Sequence, residues 1–122
     1  LNPGGCYIVY TRFRQHNARS IWGQFFPYFT EKETRLYDPE DFQKVAAGYP
    51  NLALESLDEL SFEMSFSRDH LLQTARQRKY STFAFYSEAE FSQALAVFRV
   101  RLEEWSEAVY TSEIGRIVFR HR

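Results

Sequence analysis

LNPGGCYIVYTRFR, residues 1–14, is the stretch on which the reading of the fold turns. Asn2-Pro3-Gly4-Gly5 places proline where a turn needs a preset φ and glycine where it needs a positive one, the chemistry of a tight turn. Cys6, Tyr7, Ile8, Val9 and Tyr10 then follow without a polar face. Such a run suits a strand covered on both sides, as in the middle of a parallel sheet. Open α/β sheets carry their ligands just beyond the carboxyl ends of the strands, so Thr11, Arg12 and Phe13 are expected at a ligand edge. A strand covered on both sides needs flanking strands and helices, and nothing before Leu1 supplies half of them. The expectation is therefore a piece of a larger domain.

Working outward, 122 residues make one domain with a sizeable core. Aromatic residues are 18% of the chain, with 12 Phe and 8 Tyr, and rings this large are worth most when buried or at an interface. The formal net charge of −1 removes any global electrostatic case for nucleic acid or an acidic membrane as partner. A local basic cluster remains: Arg12, Arg14 and Arg19 with His16, read either as a solvated loop or as an anion site. With Arg120, His121 and Arg122 it forms a weaker case for nucleic-acid binding, which salt would have to disrupt. The single cysteine, Cys6, can form no internal disulfide and is expected as a small buried hydrophobe in a reducing cytoplasm. No signal peptide is visible, and no apolar run approaches the roughly 18 residues that a membrane span needs.

Residues 15–37 are dense in rings: Trp22, Phe25, Phe26, Tyr28 and Phe29. Gly23 and Pro27 argue against one regular helix there, although residues 18–26 suit a short one. Rings at a sheet end either seal it or line a pocket, and sealing is the reading favoured. Asp38-Pro39-Glu40-Asp41 is a strong helix start, with a capping acid, proline at the first helical position and acids at the positive end of the dipole. Phe42, Val45 and Ala46 are its expected buried stripe and Gly48 its end. Leu60, Phe62, Met64 and Phe66 then alternate with Ser61, Glu63, Ser65 and Ser67, which predicts a half-buried strand near a sheet edge.

Ser67 is expected to cap a helix through Arg76, with Leu71, Leu72 and Ala75 inward and Arg76, Arg78 and Lys79 at its carbonyl end. Residues 80–86 read as a non-helical link. Ser87-Glu88-Ala89-Glu90 is a capping box that opens the longest helix. Its apolar residues, Phe91, Leu95, Phe98, Leu102, Trp105 and Val109, form a narrow stripe. That stripe is either a coiled-coil seam or the underside of a helix lying across the sheet, and about three heptads favour the second. Residues 114–120 close the chain as a strand.

No metal-ligand spacing, nucleophile elbow, Walker loop or G-x-G-x-x-G occurs. A complete catalytic apparatus is not written in the chain.

The order of parts resembles the carboxyl-terminal half of a class I S-adenosylmethionine-dependent methyltransferase. In that family a phrase like L-x-P-G-G leads into the fifth strand of a seven-stranded sheet, as Leu1-Asn2-Pro3-Gly4-Gly5 leads into the strand that starts at Cys6. A helix with an acidic cap, a sixth strand and an antiparallel seventh then match residues 38–47, the strand within residues 52–66, and residues 114–120. Residues 67–109 look like a helical substrate-side cover between the last two strands. The resemblance implies an α/β fold, a partial Rossmann-like sheet of three strands with the last antiparallel, in a single domain over residues 1–122.

It also implies methyl transfer from the sulfonium of S-adenosylmethionine to a small-molecule substrate in the parent enzyme. The glycine-rich cofactor loop and the following acid of the family are missing, so no residue is assigned to the cofactor and the chain alone is expected to be inactive. Thr11, Arg12 and Phe13 at the sheet's carboxyl edge, with Tyr80, Ser81 and Thr82 on the cover, are the expected substrate-binding residues. The strand edge from Cys6 to Tyr10 would be left open, which predicts a homodimer or swapped assembly through it. The alternative is a complete, non-enzymatic α+β binding or dimerisation module that uses the Phe91 to Val109 stripe as its interface.

Overall fold

Residues 4–105 and 109–122 are described by a computed structural model of the chain. Leu1, Asn2 and Pro3 of the LNPGG phrase lie outside the described residues, as do residues 106–108, through which the long-helix stripe was to reach Val109. The first strand, β1 (Cys6–Thr11), leads into three short helices, α1 (Arg14–Arg19), α2 (Ile21–Phe25) and α3 (Phe29–Lys32). Then come α4 (Pro39–Gly48), β2 (Leu52–Ser65), α5 (Arg68–Arg76), a 3-10 turn (Ser81–Phe85), α6 (Glu88–Glu104) and β3 (Val109–His121).

The three strands form one open sheet in the order β1-β3-β2, with β3 antiparallel to both neighbours. β1 and β2 consequently run in the same direction, joined by the helices between them. The fold is α/β, and its described strand pairs are all antiparallel.

Local chemistry starts the helices where the capping signals place them. Ser67 Oγ accepts from the His70 N–H at 3.1 Å. Ser87 and Glu90 cap each other, with the Glu90 N–H donating to Ser87 Oγ at 3.1 Å and the Ser87 N–H to Glu90 Oε1 at 2.9 Å. Asp41 accepts from the Asp38 N–H at 2.8 Å behind Pro39. The link after α5 differs from expectation: residues 81–85 coil as a 3-10 turn because Thr82 and Phe83 are drawn into the core.

Most rings of residues 22–29 are core. Trp22, Phe26 and Phe29 pack with Phe83, Phe91 and Phe98 in one aromatic cluster, and Phe98 is stacked on Trp22 at 5.0 Å between centroids. The stripe of α6 faces this cluster, with Phe91, Ala94, Phe98 and Leu102 buried. It is therefore neither a coiled-coil seam nor an outside interface. The helix ends at Glu104, Trp105 caps it, and Val109 belongs to β3. α6 packs on α2 and α5.

A second, smaller core lies between the sheet and α4, where Phe13, Ile117 and Phe119 are buried under Phe42, Ala46, Leu52, Leu54 and Leu57. Val45 is exposed, contrary to the expected stripe, because α4 rests on the sheet through Phe42 and Ala46 alone. β2 shifts register between Leu54 and Ser56, the mark of a bulge that re-aims the strand. Leu57, opposite Ile117, then lies on the α4 side of the sheet, and Leu60, Phe62 and Met64 lie on the opposite face. Phe62 is 52% exposed there.

The largest correction concerns β1. It is an edge strand, antiparallel to its neighbour, and not a covered inner one. Tyr7, Ile8 and Tyr10 are 59%, 52% and 59% exposed, and Cys6 is exposed too. Val9 alone of residues 6–10 packs into the sheet core. Apolar sequence signals a wish for cover; it does not say that the cover comes from the same segment of chain.

The α1–α2 junction is tight. A Cβ on Gly23 would lie 2.7 Å from the Ala18 carbonyl oxygen and closer still to that of Asn17. Both are backbone atoms that cannot swing away, so Gly23→Ala is expected to cost roughly 2–3 kcal/mol in urea unfolding. An unchanged midpoint would show the junction to be looser than this packing.

Candidate functional site

The carboxyl end of β1 is where the expected substrate residues begin. Thr11 pairs with Gly115 on β3. Phe13 is fully buried, its ring packed where a Cβ on Gly115 would stand 2.5 Å from it. It is a wedge between sheet and helix, packed against Phe42. Behind it His16 is buried: the Phe13 N–H donates to its Nδ1 at 3.2 Å, which leaves Nε2 to donate to Glu59 Oε1 at 2.6 Å. Gln15 Nε2 donates to the same oxygen at 2.6 Å. The two bonds hold the Glu59 carboxyl below its ordinary range, His16 more than Gln15. With both ring nitrogens engaged, His16 has no lone pair to offer as a base and serves as a strut from α1 to β2.

The local basic cluster is largely neutralised. Arg19 grips Glu113 through two bonds, at 2.9 and 2.7 Å, and lowers the Glu113 carboxyl. Arg14 donates to the Leu36 carbonyl at 2.7 Å and lies 3.4 Å from Asp38. Arg12 differs. It is half-buried, and its Nη2 donates to Ser112 Oγ at 3.5 Å. Next on that side of β3 stands Tyr110, whose ring lies 6.1 Å from Phe66 and 6.4 Å from Trp105. Burial pushes the Tyr110 phenol up; Tyr80 adds to that and Arg12 opposes it.

Tyr80 is 41% exposed and rests edge-on against Trp22 at 5.3 Å. Its expected companions are elsewhere. Thr82 is buried and donates to Glu33 Oε2 at 2.6 Å. Ser81 Oγ accepts from Arg35 Nη2 at 2.8 Å. Glu33 is itself buried and held by Arg35 Nε at 3.0 Å, Arg35 Nη2 at 2.7 Å and the Arg35 N–H at 3.0 Å. Ser81 and Thr82 belong to this clamp, which ties the segment after α3 to the 3-10 turn.

Sequence reasoning missed Ser112 and Tyr110. The strand was expected to start at residue 114, and the mixed run Val109-Tyr110-Thr111-Ser112-Glu113 gives a weak strand signal. Tyr110 also lines a cavity of about 400 Å³, with Arg19, Phe25, Glu63, Trp105 and Glu113 among others. No group of three or more His, Cys, Asp or Glu among the described residues could hold a metal ion. No helix among them is long and apolar enough to cross a membrane.

No protein-family model matches the chain, and no curated protein does.

Proposed function

We propose that the chain is the substrate-side, carboxyl-terminal part of an S-adenosylmethionine-dependent methyltransferase, with β1, β2 and β3 as the far edge of a larger Rossmann-like sheet. The observation that carries the reading is the order β1-β3-β2, in which a reversed strand lies between two that run alike. That is the arrangement the family resemblance implies for the last three strands. The free edge and bare side chains of β1 stand where further strands would pair. Residues 67–109, which contain α5, the 3-10 turn and α6, are in this reading a helical insertion before the last strand.

The residues present do not fit the methyl donor. β1 runs at its carboxyl end into a buried Phe13, and among the described residues no strand leads through a glycine-rich loop into a helix. No step of the transfer is assigned to this chain, and its contribution is to bind and orient the acceptor. Calorimetric titration with S-adenosylmethionine tests this. The 122-residue chain is expected to release no heat of binding, and the polypeptide extended by its upstream reading frame is expected to bind. An upstream frame without a glycine-rich loop, or an extended protein that ignores the donor, contradicts the reading.

When the remaining strands are not supplied, the same edge is expected to recruit a second copy of the chain, because unpaired strand groups template pairing. The rival reading, a non-enzymatic binding or dimerisation module, would have to use a surface other than the α6 residues Phe91, Phe98 and Leu102, which are buried in the chain's own core.

A further inference from the structure

We infer that Arg12, with Ser112 and Tyr110, forms a binding site for a carboxylate borne on an apolar or aromatic body. The assignment rests on the methyl-transfer reading only in calling that ligand the acceptor; the site itself stands on its geometry.

The first observation is the state of Arg12. Arg14, Arg19 and Arg35 each have a carboxylate within 3.4, 2.7 and 2.7 Å. Among the described residues Arg12 has none, although its side chain is half-buried, and its one bond is the long one to Ser112 Oγ at 3.5 Å. A guanidinium is a planar fork of donors that matches a carboxylate through two parallel bonds. A single hydroxyl at the limit of hydrogen-bond distance leaves most of that fork unused.

The second observation is what surrounds it. The antiparallel register puts Phe62 opposite Ser112 and Met64 opposite Tyr110, on the side of the sheet away from α4. Phe62 is 52% exposed. A ligand held at Arg12 therefore meets hydroxyl donors at Ser112 and Tyr110 and an apolar strip alongside them. One cation with neutral donors suits a monoanion, whereas a phosphate dianion calls for more positive charge. The strip favours a body such as an aromatic ring over a second charged group.

The experiment is an NMR titration of the 122-residue chain with benzoate, following the Arg12 side-chain Nε–H and the Ser112 and Tyr110 amides, with benzyl alcohol and L-methionine as comparison ligands. Benzoate is expected to shift these resonances saturably, and Arg12→Gln is expected to weaken it about tenfold. Arg14→Gln, which loses a pair on the other side of α1, is expected to leave the affinity unchanged. Benzyl alcohol binding as tightly as benzoate, or no loss on Arg12→Gln with the fold intact by its amide spectrum, overturns the site. Absence of any saturable shift does the same. Tighter binding of L-methionine would assign the carboxylate to the donor and overturn its assignment to the acceptor. None of these readouts involves methyl transfer, so failure here and failure of donor binding by the extended protein are separate results.

Discussion

Replacing Trp22 by alanine is expected to lower the unfolding free energy by roughly 3–5 kcal/mol. Trp22 is the hub of the larger core: it stacks on Phe98 at 5.0 Å, meets Phe83 edge-on at 5.8 Å and lies 6.1 Å from Phe29. Removing it strips partners from three elements at once, because Phe98 sits on α6, Phe83 on the 3-10 turn and Phe29 on α3. The surrounding rings are stiff and cannot collapse into the space, so both lost transfer energy and a cavity add to the cost. Thermal unfolding followed by circular dichroism should show a drop of roughly 10–20 °C. Trp22→Phe, which keeps a ring in place, should lose less than half as much. Equal losses for the two variants would mean that the indole is not packed as described.

The second large effect belongs to the Glu33 clamp. Three hydrogen bonds from Arg35 and one from Thr82 hold a buried carboxylate. Arg35 before all else brings its pKa from the ordinary 4.5 to about 2, against the opposing effect of burial. The folded value lies below the unfolded one, so the unfolded chain binds the proton first and stability rises with pH across that interval. The contribution is complete above the ordinary carboxylate value and disappears as pH falls toward about 2. Glu33→Gln leaves Arg35 and Thr82 without their acceptor charge, and the expected loss is roughly 2–4 kcal/mol at neutral pH. Urea midpoints measured from pH 7 to pH 2 should converge for the two proteins at the acid end. Parallel curves would show that Glu33 is not the group whose protonation matters.

How much of this could be read from the chain follows the range of the interaction. Asp38, Ser67 and Ser87 announce helix starts because capping is decided within one turn. The alternation through Leu60, Phe62 and Met64 gave a strand, but the bulge after Leu54 and the helices behind Leu57 decided which side was covered. The His16–Glu59 strut joins residues 43 apart, and no local pattern marks it. Arg12 and Tyr80 were named by position, at a strand end and in a link, and the fold gives them different neighbours, Ser112 for Arg12 and Trp22 for Tyr80. Phe13, Ser81 and Thr82 were named by the same rule and proved to be wedge and clamp, because adjacency in sequence does not say which side chain points outward. The covered-strand reading of β1 went wrong for a related reason: hydrophobicity is local, and what covers it is tertiary.

That exposed strand bears on the central claim, that the sheet is built to continue past β1. Sedimentation velocity of the 122-residue chain across a range of concentrations addresses it most directly. The expected result is association that deepens with concentration and is abolished by Tyr7→Lys together with Ile8→Lys, charges that block strand pairing. A monomer at every concentration, with β1 stably formed by amide exchange, would contradict it.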